Sequence, residues 1–211
     1  MKCTDCGKVV RPVVVVDVDG TLADYHTTFG QFCARYYNFT LDHLPWDGSG
    51  EFEDYLGMTK AEYREAKLAY RQGGNKRWLP MYAGAREVIN SLRVAGAEVW
   101  IATTRPWQRL DNVDPDTREW LRRNGLDVDG LLYGEDKYRQ VLEIVGKDRV
   151  VAAVEDLADQ FDQAQDLGLP VIMVERPHNA ATSRTPRGSI AVCQEWALHQ
   201  VMKWKEAYSD H

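Results

Sequence analysis

The sequence predicts an α/β protein: a parallel sheet with helices on both faces and a helical cap inserted after the first strand. Three observations predict it. Short runs of β-branched and other apolar residues recur along the chain, as expected of strands buried on both faces. Segments of helical periodicity alternate with the later runs, which implies parallel strands joined by right-handed crossovers. Between the first run and the second lie residues 25–79, a stretch too long for a simple crossover and without a strand-like segment.

The first strand is "VVVV", bounded by Pro12 and Gly20 and ending on Asp17 and Asp19. Residues two apart on a strand point to the same side, so the two carboxylates are expected to share one small region. Such a pair is costly unless a cation or a shared proton relieves the repulsion; otherwise one aspartate caps a turn and the other is solvated. In the insertion, "TTFGQFCARYY" (27–37) and "TKAEYREAKLAYRQ" (59–72) read as helices flanking a loop rich in Trp, Pro, Asp and Gly. "GAREVINSLRVAG" carries Val88, Ile89, Leu92 and Val94 at near-helical spacing and stops at Gly96. The strand "AEVWIATT" (97–104) follows. In "DPDTREWLRRNG" (114–125), Pro115 sits just inside a start capped by Asp114, and Gly125 closes the helix. Strands "DGLLYG" (129–134), "RVVAAVE" (149–155) and "LPVIMVE" (169–175) then alternate with helices "EDKYRQVLEIVG" (135–146) and "DLADQFDQAQDLG" (156–168). The last helix, in "CQEWALHQVMKWKEAYSD", is expected to dock through a stripe of Trp196, Val201, Trp204 and Tyr208. The expected division is an N-terminal C-x-x-C segment (1–11), a core (12–24 and 80–211) and a helical cap (25–79).

Composition narrows the function classes. With 44% hydrophobic and 27% charged residues, the 211-residue chain reads as a globular protein with one good core. Its apolar runs fall short of the roughly 20 residues of a membrane span, and no signal-peptide pattern opens it, so a cytoplasmic protein without a membrane partner is expected. A net charge of -6 gives no global attraction to nucleic acid or anionic membranes, so a polyanion must be met by a local patch. "CTDCGK" spaces Cys3 and Cys6 like half a zinc ribbon. A closed zinc site needs four ligands and there is no second C-x-x-C, which leaves a simply exposed terminal segment as the other reading.

Ligands of open parallel sheets bind beyond the carboxyl ends of the strands. The residues at those ends are Asp17 and Asp19, then Thr103, Thr104 and Arg105, then Glu155 and Asp156, with Lys137 near the start of a helix. "DVDGT", Thr103 in "WIATT", Lys137 in "GEDKYRQ" and the acidic pair in "VEDLAD" resemble, in order, the four motifs of the haloacid dehalogenase-like phosphatase superfamily. The resemblance implies a Rossmann-like core with the first strand central, dependence on Mg²⁺, and hydrolysis of phosphate monoesters through an aspartyl-phosphate. It implies Asp17 as nucleophile and Asp19 as general acid and then base. Mg²⁺ would be held by the Asp17 carboxylate, the Asp19 carbonyl and Asp156, with Glu155 reaching it directly, through water or not at all. Thr103 and Lys137 would bind the phosphoryl oxygens, with Thr104 and Arg105 beside them. Asp159 either orients a metal-bound water or faces solvent.

Two branches of the superfamily are resembled. The motif intervals, the helical insertion and "RPHN" look like the 5'(3')-deoxyribonucleotidases, implying a nucleoside monophosphate held against aromatic rings, with Tyr25, Phe29, Trp46, Trp78 and Tyr82 as candidates. "TTRPWQR" followed by "DTREWLRRNGLDVDGLLYG" resembles the phosphatase domain of polynucleotide kinase-phosphatases, implying an enzyme acting on nucleic-acid ends. A degenerate phosphatase used as a binding module is a third reading. Lys60, Arg64, Lys67 and Arg71 form a basic helical stripe, expected to be a solvated face paired with Glu62 and Glu65; its alternative is a track for a nucleic-acid backbone.

Overall fold

The computed structural model describes residues 10–41, 45–106 and 109–209; Cys3 and Cys6, with the expected zinc knuckle, lie outside them. Strand β1 (Val13–Val16) is completely buried. It lies between β2 (Glu98–Thr103) and β4 (Val150–Glu155) in a parallel sheet, whose order is β3-β2-β1-β4-β5-β6 with β3 (Gly130–Tyr133), β5 (Val171–Val174) and β6 (Arg187–Gly188). The order reverses on either side of β1, which puts the crevice beyond its carboxyl end. The two-residue β6 is too short to leave a periodic signal in the sequence.

The alternation of the buried strands splits the core in two. Val14, Val16, Val99, Ile101, Val154 and Val174 face α4 (Ala85–Val94), α5 (Val113–Arg123) and α8 (Ile190–Ser209). Val13, Val15, Ala102, Ala153 and Met173 face α6 (Lys137–Val145) and α7 (Ala158–Asp166). A sheet covered on both faces is what the valine run required. Among the described residues, no helix is long and apolar enough to cross a membrane.

Two helix readings need correction. α8 docks through Cys193, Ala197 and Val201, all fully buried, with Trp196 and Trp204 only partly buried at the flanks. Small residues spaced by one turn let the helix approach the sheet closely, and the larger tryptophans masked that line in the sequence. α5 starts at Val113, earlier than Asp114 suggested. Asp114 instead pairs with Arg118 at 2.9 Å and accepts a hydrogen bond from Tyr133 at 3.0 Å.

The insertion after β1 holds α1 (Tyr25–Tyr37), the short α2 (Phe52–Tyr55) and α3 (Lys60–Gln72). Asp24 caps α1 by accepting the Thr27 N–H, and Thr59 with Glu62 forms a capping box on α3. Phe29, fully buried, joins the two long helices, its ring 5.2 Å from that of Tyr70 and 5.6 Å from that of Tyr63. A 3₁₀ turn, Asn75–Trp78, leads back to the core. α5 holds it: Arg77 forks onto the buried Asp116, and the Trp120 indole donates to the Leu79 carbonyl at 2.8 Å.

Candidate active site

After Val16 the chain turns back on itself. Leu22 and Ala23 N–H donate to the Val18 carbonyl at 2.9 and 2.8 Å, and Gly20 adopts φ 91°. A side chain at Gly20 would be doubly excluded, since its Cβ would stand 2.0 Å from Asp156 Oδ2. Arg176 fixes the turn from outside. It donates to the Gly20 and Thr21 carbonyls at 2.8 and 2.7 Å while its guanidinium lies 3.9 Å from the Tyr82 ring centroid.

Asp17 and Asp19 are partnered separately. Lys137, the first residue of α6 and fully buried, donates to Asp17 Oδ1 at 2.7 Å and to Glu155 Oε2 at 2.7 Å. Asp17 Oδ2 has no hydrogen-bond partner among the described residues. Glu155 is saturated: Oε2 also accepts from Tyr138 at 2.7 Å, and Oε1 accepts the backbone N–H groups of Asp156 and Leu157 at 3.0 and 3.1 Å. Asp156 accepts from Thr21 at 2.8 Å and lies 2.7 Å from His178 Nε2, while its carbonyl accepts from Asn179 at 2.9 Å. Burial pushes the Asp17 carboxyl well up, with Glu155 and Asp156 adding to the rise and Lys137 opposing it. Burial also acts to raise Asp156, but the hydrogen bonds from His178 and Thr21 outweigh it and hold the group below the usual carboxylate range.

The Asp19 carboxylate meets two cations. Arg105 forks onto it at 2.6 and 3.0 Å, steadied by a 2.8 Å bond to Thr117, and Lys76 donates at 2.5 Å with its ammonium 3.6 Å from the Tyr25 ring centroid. Burial would raise Asp19, yet Arg105 and Lys76 hold it far below the usual range and fully ionised. Burial pulls the Lys76 ammonium down to about 7; Asp19 resists this and the neighbouring Arg105 reinforces it. Both cations are oriented by α5, Arg105 through Thr117 and the Lys76 turn through Asp116.

Above Asp19 lies a cavity of about 230 Å³ between the inserted helices and the sheet, lined by Tyr25, Tyr63, Lys67, Arg71, Thr104 and Arg105 among others. Thr103, at the end of the strand beside β1, has a buried hydroxyl oxygen with no partner among the described residues. That orphaned group is suited to a phosphoryl oxygen, since leaving it unmade costs free energy.

The other sequence candidates are distributed unevenly. Phe29 is interior to the helical insertion and does not line the cavity. Trp78 is 60% exposed and points away, stacked under Arg123 at 3.6 Å. Tyr82 supports Arg176 and bonds Asp24 at 3.1 Å. Trp46 lines a neighbouring groove, and Asp159 faces solvent. Sequence reasoning missed Lys76, Thr21, Tyr138, Arg176 and His178. The "RPHN" segment was the available signal for the last two, and the glycine pair before Asn75 was the only signal for a turn at Lys76.

Asp17, Glu155 and Asp156 each offer an oxygen within 4.8 Å of the others, three buried carboxylates of which the Lys137 ammonium pairs with Asp17 and Glu155 alone. An all-oxygen set with surplus negative charge fits a hard divalent cation. No protein-family model and no curated protein sequence matches the chain. Solved structures do. A predicted phosphatase from Clostridium acetobutylicum superimposes with a TM-score of 0.64 at 16% identity, covering 90% of this chain and 100% of that one. An HAD family hydrolase from Deinococcus radiodurans R1, with bound phosphate and sodium, gives 0.63 at 16% identity over 90% and 96% of the two chains. The fold is that of the haloacid dehalogenase-like hydrolases. CbbY from Rhodobacter sphaeroides, in complex with xylulose 1,5-bisphosphate, has the same fold with a TM-score of 0.57 at 18% identity, covering 86% of this chain and 96% of that one. In this HAD-like frame the acidic cluster stands at the carboxyl ends of β1 and β4, beside the point where strand order reverses.

Proposed function

We propose that the protein is a Mg²⁺-dependent phosphomonoester hydrolase that works through a phosphoryl group carried on Asp17. The observation that carries this reading is the state of Asp17: one carboxylate oxygen fixed by Lys137, the other unengaged, in a buried oxygen-donor cluster. Mg²⁺ held by Asp17 and Asp156, with the Asp19 carbonyl, would offset negative charge between nucleophile and phosphate. Asp17 attacks phosphorus and the ester P–O bond breaks. The leaving oxygen takes a proton from Asp19, which later removes one from the water that attacks the aspartyl-phosphate and restores the Asp17 carboxylate. Lys137 and the free Thr103 hydroxyl serve the phosphoryl oxygens. Glu155, its oxygens already taken by four donors, positions Lys137 rather than the metal.

Asp19 is ionised in the resting protein, so its acid role requires a rearrangement. An incoming dianionic phosphate competes for Arg105 and Lys76, and as those cations turn to it Asp19 becomes free to take up a proton. Residues 25–79 act as the cap that encloses the substrate. A nucleoside 5'(3')-monophosphate is the substrate class favoured, with Tyr25 and Tyr63 as the rings beside the phosphate and Thr104 at the cavity wall. Phosphate release measured across nucleotides, sugar phosphates and end-phosphorylated oligonucleotides, with Mg²⁺ and after chelation, tests the reading. Release from nucleotides that needs Mg²⁺ and is lost in Asp17→Asn supports it, and metal-independent release contradicts it.

A further inference from the structure

Of the three clustered carboxylates, Asp156 has a hydrogen-bond partner that the insertion covers. Its carboxylate is fixed from two sides: Thr21 donates to Oδ1 at 2.8 Å, and His178 Nε2 lies 2.7 Å from Oδ2. An ionised carboxylate only accepts, so Nε2 carries the proton of that bond. His178 belongs to the 3₁₀ turn Pro177–Asn179 after β5, whose backbone is tied down independently. Arg176, just before it, holds the Gly20 and Thr21 carbonyls, and Asn179 donates to the carbonyls of Asp156 and Val174, both at 2.9 Å. The imidazole itself is held from the other direction.

The insertion supplies that hold. His26, the second residue of α1, sets its ring 4.2 Å from that of His178, centroid to centroid, and the Trp46 indole lies 6.2 Å away at an interplanar angle of 13°. Burial pulls His26 down to about 3, with His178 adding to the fall, so it meets His178 as a neutral ring. Trp46 is fixed in turn. It stacks on Phe52 at 4.9 Å, and its indole N–H donates to the Ser49 carbonyl at 3.2 Å, within a turn closed by Asp47. Gly48, at φ 81°, lays its backbone on the His178 carbonyl, where a Cβ would stand 2.0 Å from the oxygen. These contacts leave the His178 side chain 5% exposed. In so close a packing the ring cannot swing off Asp156 unless the 46–52 loop moves first.

We infer that His178 is a positioning residue for the metal ligand Asp156 and that His26 and Trp46 hold it there, so that packing of the insertion and binding of the cation favour each other. The inference rests on the Mg²⁺ reading of the acidic cluster and adds to it a link that runs through one imidazole. A carboxylate oriented in advance by its hydrogen-bond partners is a better ligand than one that must be ordered by the ion. By linkage, whatever the insertion adds to Mg²⁺ affinity, Mg²⁺ adds equally to the packing of the insertion.

Isothermal titration with Mg²⁺ tests the first half of the inference and amide hydrogen exchange the second, neither needing turnover. A cooperative melt without Mg²⁺ is recorded first, so that only folded variants are compared. His178→Phe keeps a ring against Trp46 and His26 but has no donor, and its affinity for Mg²⁺ is expected to fall about 10–100-fold. His178→Gln carries an N–H at similar reach and should keep the wild-type affinity, a rescue that a purely packing role for the ring does not give. Trp46→Ala, a change in the insertion alone, should weaken Mg²⁺ binding by about fivefold or more, the lower end of common coupling between sites. Saturating Mg²⁺ should slow exchange over 46–52 in the wild type and leave it unchanged in His178→Phe. Mg²⁺ binding that is lost in Asp156→Ala yet equal in the wild type, His178→Phe and Trp46→Ala overturns the inference and leaves the metal reading standing. So does a His178→Gln protein as weak as His178→Phe, or exchange over 46–52 that ignores Mg²⁺ in the wild type. A wild type that binds no Mg²⁺ at all would remove the metal reading and the inference with it.

Discussion

At the scale of single residues, the two aspartates that close β1 differ because their cations differ. Lys137 serves Asp17 from the start of a helix, while Arg105 and Lys76 reach Asp19 from the end of β2 and from the turn after α3. Lys76 is the residue whose charge is poised. Burial lowers it to about 7, so it donates as an ammonium below that pH and loses its proton above it. If it helps to capture the substrate phosphate, kcat/KM falls as pH rises through about 7, because kcat/KM reports groups of the free enzyme. Lys76→Arg should move that falling limb well into the alkaline range, since a guanidinium keeps its proton. A limb unmoved by the substitution would assign it to another group.

Among the elements, the turn after β1 and the helix α5 do the positioning. The turn brings its backbone against Asp156 at Gly20, where no Cβ fits. Gly20→Ala should therefore displace the Asp156 carboxylate and weaken Mg²⁺ binding by about 10–100-fold, the usual scale for disturbed support of a metal ligand. Isothermal titration with Mg²⁺ checks this, and unchanged affinity would remove Asp156 from the metal's ligands. The turn was legible because its signals are local: a valine run, two carboxylates and a glycine. The work of α5 was not. Asp116 and Thr117 read as ordinary helix residues, and their meaning comes from Arg77, 39 residues away, and Arg105, 12 residues away. Lys76 and Asp19 are 57 residues apart, so no periodicity links them. The aromatic candidates failed for a related reason. Ring type says nothing about direction, and Phe29 points into the interior of the insertion while Trp78 turns outward beneath Arg123.

At the scale of the whole molecule, the sheet concentrates uncompensated charge at one point. Three buried carboxylates gather past the ends of β1 and β4, at the crevice where strand order reverses, with Lys137 paired to Asp17 and Glu155 and His178 beside Asp156. A divalent cation that binds only the folded protein should stabilise it by about 2.7 kcal/mol at a hundredfold excess over Kd. A rise in Tm with Mg²⁺, lost in Asp156→Ala, is the expected result, and an equal rise in both proteins would place the ion elsewhere. The central claim is that phosphoryl transfer passes through Asp17. Its most direct test is acid quenching of the wild-type and Asp19→Asn proteins with Mg²⁺ and an aryl phosphate, whose good leaving group needs little acid assistance, followed by mass spectrometry of the digested chain. A single added phosphoryl group on the peptide containing Asp17, longer-lived in Asp19→Asn and absent from Asp17→Asn, is the predicted result. Rapid turnover with no phosphorylated Asp17 peptide, or with the phosphoryl group on another residue, would contradict the account.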